Sequence, residues 1–93
     1  MARGDLLRDE EIAAALGHLA GWQQTSGALR RIYEFPDFRE AMKFVHRVAD
    51  LAGAVGHLPR IEVKRDRVTL TVTSDEEGGV TGRDIDLIRR IDG

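Results

Sequence analysis

The chain has 93 residues, a net charge of −2 and no cysteine, which excludes a disulfide framework, a thiol nucleophile and a thiolate metal site. A slightly negative field repels a phosphate backbone, so direct nucleic-acid binding is not expected. The apolar runs fall far short of the ~20 residues of a membrane-spanning helix and the start Met1-Ala2-Arg3-Gly4-Asp5 lacks an apolar signal region, so a cytoplasmic protein without membrane contact is expected.

Ile12, Leu16 and Leu19 recur at helical spacing behind the acidic start Asp9-Glu10-Glu11, which predicts a first helix over Asp9–Ala20. Gly21 stops it. Trp22–Thr25 and Ala28–Phe35 flank Ser26-Gly27 as a hairpin, and Pro36 ends the second strand. Asp37 caps a second helix whose apolar positions Phe38, Ala41, Met42, Val45, Val48, Ala49 and Ala52 fall at three- and four-residue steps, with Gly53 and Gly56 expected to break it. Ile61–Val63 and Val68–Thr73 alternate with period two around a polar turn at Arg65-Asp66. After the loop Glu76-Glu77-Gly78-Gly79, Thr81-x-x-Asp84 has the form of a capping box and opens a last helix with Leu87, Ile88 and Ile91 inward.

The order α-β-β-α-β-β-α predicts an α+β fold, a four-stranded antiparallel sheet with helices packed on one face. One domain over residues 1–93 is expected. A chain of this size buries only about 60–65% of its unfolded surface, so it gains from subunit packing, and a homodimer or homotetramer is expected. Twelve of the 14 basic residues are arginine, but Arg30-Arg31 and Arg89-Arg90 are too short for basic patches and read as solvated faces.

The stretch Val55-Gly-His-Leu-Pro-Arg-Ile-Glu-Val63, followed by strand, Gly78-Gly79-Val80-Thr81 and Asp84, resembles the pterin-4a-carbinolamine dehydratase family. That family carries His-His-Pro ahead of one strand and Thr-His before the Gly-Gly turn. Glu11-Ile12, Leu16, Gly21-Trp22 and Tyr33-x-Phe35-x-Asp37-Phe38-x-x-Ala41-Met42-x-Phe44-Val45 are similar to its first helix and its strand-to-helix passage. His57 and Pro59 keep the motif, while Leu58 stands where the second histidine belongs and Asp75 where the third does.

The resemblance implies removal of water from a 4a-hydroxytetrahydropterin to give the quinonoid dihydropterin, with no metal and no redox cofactor. A proton must reach the leaving hydroxyl and another must leave a ring nitrogen, tasks suited to imidazoles. By position, the implied catalytic residues are His57 and Asp75, and the implied substrate contacts His57, Leu58, Pro59 and Asp75. Leu58 carries no proton. Aspartates are ionised near neutral pH, so Asp75 suits a base's task better than an acid's.

The alternative is a catalytically inactive binding or assembly module with a protein client. Relatives of the family act as dimerisation cofactors for a homeodomain regulator and in Rubisco assembly. His57 reads either as a retained acid–base group or as a family relic at a helix end. Asp84 is explained by reciprocal capping with Thr81, Trp22 and Phe44 by core packing or a pterin face. His18 and His46 read as surface or partly packed residues without ligand spacing.

Overall fold

Period-two alternation in Val68-Thr69-Leu70-Thr71-Val72 places three branched side chains on one side of a strand, and all three are fully buried. This strand lies inside the sheet, and the rest of the fold is arranged on its apolar face. The computed structural model describes residues 4–93. Its elements are α1 (Asp9–Leu16), β1 (Gln23–Thr25), β2 (Ala28–Glu34), α2 (Phe38–Val55), β3 (Arg60–Lys64), β4 (Arg67–Val72) and α3 (Gly82–Asp92).

The strands lie in the order β1-β2-β4-β3 and every neighbour is antiparallel. Leu29 faces Val72, Arg31 faces Leu70 and Tyr33 faces Val68 across β2 and β4, while Ile61 and Val63 face Leu70 and Val68 from β3. The α+β order expected from the sequence is the one observed. Ile12 of α1, Ala41, Val48 and Ala52 of α2, and Ile85, Ile88 and Ile91 of α3 join Leu29, Leu70 and Val72 in one buried cluster. Among the described residues no helix is long and apolar enough to cross a membrane.

Two helix boundaries differ from expectation. α1 ends at Leu16, because Gly17 caps it and His18, Leu19 and Trp22 close successive turns onto Ala15, Leu16 and Leu19 carbonyls. Leu19 still reaches the core, at 6% exposure, through the turns rather than through a helix face. Gly53 does not break α2. It lies inside the helix, which the apolar stripe carries on to Val55, and Gly56 ends it with φ 70°, the left-handed conformation glycine adopts without a Cβ penalty.

Arg31 departs furthest from its expected solvated place. Its register opposite Leu70 puts it on the inner side of the sheet, where its guanidinium lies 4.3 Å from the Tyr33 ring centroid. It donates to the Ala20 carbonyl at 2.9 Å and to the Asp92 carboxylate at 3.1 Å. Asp92 also accepts from Trp22 Nε1 at 2.8 Å and from the Tyr33 hydroxyl at 2.6 Å. Tyr33 in turn packs on Phe44 with centroids 4.4 Å apart, and Phe44 on Phe35 at 5.1 Å. Core packing is thus what the structure gives for Trp22 and Phe44.

Of the three donors to Asp92 only Trp22 is buried, and a buried donor left unpaired costs about 1–3 kcal/mol. Asp92→Ala is therefore expected to lower stability by about 1–3 kcal/mol in urea denaturation, with Asp92→Asn less damaging. Burial, then the hydrogen bond to Asp92 and its charge, hold the Tyr33 phenol well above the usual tyrosine range. The folded chain thus keeps a proton that the unfolded chain loses near pH ~10. This stabilisation is complete below that pH and fades as pH rises toward the folded value. The alkaline decline in stability should be shallower in Tyr33→Phe, measured by denaturation between pH 9 and pH 11.

Candidate active site

The end of α2 sets the first functional side chain. With Gly56 left-handed, the His57 N–H turns back to the Ala52 carbonyl at 3.1 Å, the six-to-one closure of a Schellman-type helix end. His57 is thereby carried under the start of α3. The β4 alternation continues past its last paired residue: Val72 inward, Thr73 outward, Ser74 inward and 1% exposed. A turn closed by Ser74 N–H to Gly79 carbonyl at 2.9 Å then returns the chain to Thr81, which caps α3.

These three segments converge on Asp84. Its side chain is fully buried, and an isolated carboxylate there would be strongly disfavoured. Oδ1 lies 2.5 Å from His57 Nε2. Oδ2 accepts from the Ser74 hydroxyl at 2.9 Å and from the Thr81 N–H at 2.8 Å. The Ser74 and Thr81 hydroxyls are 2.8 Å apart, and Thr81 Oγ1 accepts from the Arg83 N–H at 3.2 Å.

Proton counting fixes the directions. Ser74 gives its only hydroxyl proton to Asp84, so Thr81 must donate to Ser74 Oγ. The carboxylate, supplied from Ser74 and Thr81, takes its third donor from His57, which places the imidazole proton on Nε2. Nδ1 is the nitrogen of His57 left free of this network. The arrangement orients a base with a buried carboxylate, the relation found in histidine–carboxylate catalytic pairs.

The residues singled out from the sequence divide between two depressions. His57 lines a pocket of about 260 Å³ with Val55, Arg83, Asp86 and Arg90. Leu58 and Asp75 line another of about 240 Å³ with Arg60, Thr71 and Thr73, on the outward face of the sheet. Leu58 is 73% exposed, Asp75 is exposed and Pro59 is half-buried. The structure therefore does not place Asp75 in the pocket that His57 lines. Among the described residues no cluster of three or more histidine, aspartate or glutamate side chains is placed to hold a metal ion.

On the sequence, capping is preferred over contact with the active site for Asp84, and Ser74 carries no role. Capping is present, since Asp84 and Thr81 form the reciprocal box, but the same carboxylate also holds His57. A signal was available. Asp84 shares the helical stripe of Leu87, Ile88 and Ile91, and a carboxylate on an apolar stripe requires buried partners.

The family model described as pterin 4 alpha carbinolamine dehydratase matches residues 5–93. A Koribacter versatilis protein named for pterin-4-alpha-carbinolamine dehydratase is 53% identical over 85 residues, covering 91% of this chain and 90% of its own. A similarly named Thermomicrobium roseum protein is 47% identical over 91 residues, covering 98% and 95%. The crystal structure of a Brucella melitensis transcriptional coactivator/pterin dehydratase superposes with a TM-score of 0.91 at 32% identity, covering 95% of this chain and 96% of that one. A pterin dehydratase-like RuBisCO assembly factor of the alpha-carboxysome, at 19% identity and a TM-score of 0.62 over 76% of this chain and 82% of its own, shares the fold. With the whole length from Asp5 to Gly93 matched, the chain belongs to the pterin 4 alpha carbinolamine dehydratase family.

Proposed function

We propose that the protein dehydrates a 4a-hydroxytetrahydropterin to the quinonoid dihydropterin, with His57 as the acid–base group and Asp84 as its positioning carboxylate. The observation that carries this reading is the 2.5 Å contact between His57 Nε2 and a fully buried carboxylate. With the Nε2 proton committed to Asp84, Nδ1 takes the proton from the ring nitrogen. The nitrogen's electron pair forms the double bond to C4a as the C4a–O bond breaks. The imidazolium so formed lies against Asp84, and returns its proton to the departing hydroxyl, which leaves as water. Protons balance without a second imidazole.

Leu58 and Asp75 then act only at the outer rim. Asp75 contributes a polar group to the sheet-face depression, and Leu58 an apolar one. The protein works as a homodimer or homotetramer on this reading, in which subunit packing covers surface that a small chain leaves exposed.

A second reading rests on Leu58. An apolar side chain that is 73% exposed, at the position of the motif's second histidine, suits contact with a protein client better than contact with a polar heterocycle. The first experiment separates the two. Dehydration of freshly generated 4a-hydroxytetrahydropterin should run above the uncatalysed rate, and His57→Ala should lose about 10²–10⁴-fold, the range of a single acid–base group. A native rate equal to buffer would discard the enzymatic reading in favour of the client-binding one. Asp84→Asn presents an amide donor to His57 and reverses its tautomer, so its loss should approach that of His57→Ala while circular dichroism stays native. Asp75→Asn should change the rate by far less than the ~10²-fold expected of an acid–base group.

A further inference from the structure

The pocket that His57 lines is bordered by two guanidinium groups. Arg83, Asp86 and Arg90 stand at steps of three and four along α3, and so share one helix face. Arg83 is tied through a terminal nitrogen to Glu77 of the preceding loop, yet its Nε is buried without a hydrogen-bond partner. A buried donor left unmade is disfavoured by about 1–3 kcal/mol. Arg90 is exposed, and no carboxylate contact to it occurs among the described residues. Glu77 and Asp86 offset part of the positive field, and Asp86 has an interaction of its own. Recognition here thus rests on directed guanidinium donors more than on net charge.

Guanidinium groups match planar carboxylates and phosphates, to which they give charge-assisted and often paired hydrogen bonds. The acid–base step itself needs no cation at this place, since Asp84 already balances the imidazolium. We infer that the Arg83–Arg90 side of this pocket is a subsite for an anionic group, and that it selects pterins bearing an acidic substituent, carboxylate or phosphate, over neutral ones. The inference rests on the pterin reading for the identity of the ring, and on Arg83 and Arg90 for the anion.

The test is a titration of the full chain followed through its arginine Nε–H and histidine ring resonances, with pterin-6-carboxylate, neutral 6-hydroxymethylpterin and inorganic phosphate as separate probes. Pterin-6-carboxylate should bind about tenfold or more tightly than the neutral pterin, shift the Arg83 Nε–H signal, and lose its advantage as salt is raised. Arg83→Gln and Arg90→Gln should each reduce that advantage. Glu77→Gln, which frees the loop without removing a guanidinium, should retain it and so separates anion recognition from loop anchoring. Equal binding of the two pterins, or a preference unchanged in both arginine variants, overturns the anionic subsite and leaves the pterin reading standing. Phosphate shifting Arg83 while neither pterin binds supports the anion site and removes the pterin reading. No shift with any probe overturns the inference.

Discussion

The buried carboxylate of Asp84 is the constraint on which both the fold and its chemistry depend. It is fully enclosed and takes donors from the turn after α2, from the inward continuation of β4 and from the cap of α3. Taking away one partner of such a charge commonly costs more than the partner's own contact, because the charge stays behind unpaired. The turn after α2, 27 residues away in sequence, is thereby fixed at one point with the end of β4 and the start of α3. The left-handed Gly56, the inward Ser74 and the Thr81 cap are all conditions for meeting it.

The other end of α3 is tied by a different logic. An acidic residue at a helix C-terminus opposes the negative end of the helix dipole, and Asp92 stands there. Arg31 donates to its carboxylate and Arg47 to the adjacent Ile91 carbonyl, so cations supplied from β2 and α2 offset both the side chain and the dipole. Between these anchors, Ile85, Leu87, Ile88 and Ile91 are buried. A helix held at its first and last turns has little freedom to slide or rotate, which keeps Asp84 in register with His57. The aromatic group of Trp22, Tyr33 and Phe44 and the His57–Asp84 pair are linked in this way through one helix.

Element order and the two hairpins were legible because they depend on local periodicity, whereas the β2–β4 pairing that joins the hairpins into one sheet was not. The alternation of Val68 to Val72 and the stripe Ala41-Val48-Ala52 each state which side is buried. The end of α1 was not legible, since Leu19 satisfies a helical pattern and is nonetheless brought inward by turns. Gly53 was misleading for the complementary reason: one glycine weakens a helix by only about 1 kcal/mol, and burial along α2 outweighs that. Arg31 and Asp84 failed for a shared cause. Arg31 reads as solvated and Asp84 as a cap where their distant counterparts are not known, and the pairs Arg31–Asp92 and His57–Asp84 are separated by 61 and 27 residues. Pairings of that separation are set by tertiary packing, and no local pattern states them.

The site also shows how a motif with fewer histidines stays chemically coherent on the proposed reading. The nitrogen that loses its proton and the carbon that loses its hydroxyl are bonded neighbours in the pterin ring, so the two proton positions lie close together. One imidazole nitrogen can serve both in turn if the ring is prevented from turning over and if the other nitrogen is held by a permanent acceptor. The first condition is met by burial of His57, whose side chain is 11% exposed, and the second by the 2.5 Å contact to Asp84. An added imidazole at Leu58 would project from a largely exposed position toward the sheet-face depression. Its absence therefore removes a contact at the rim and leaves the proton path through Nδ1 intact.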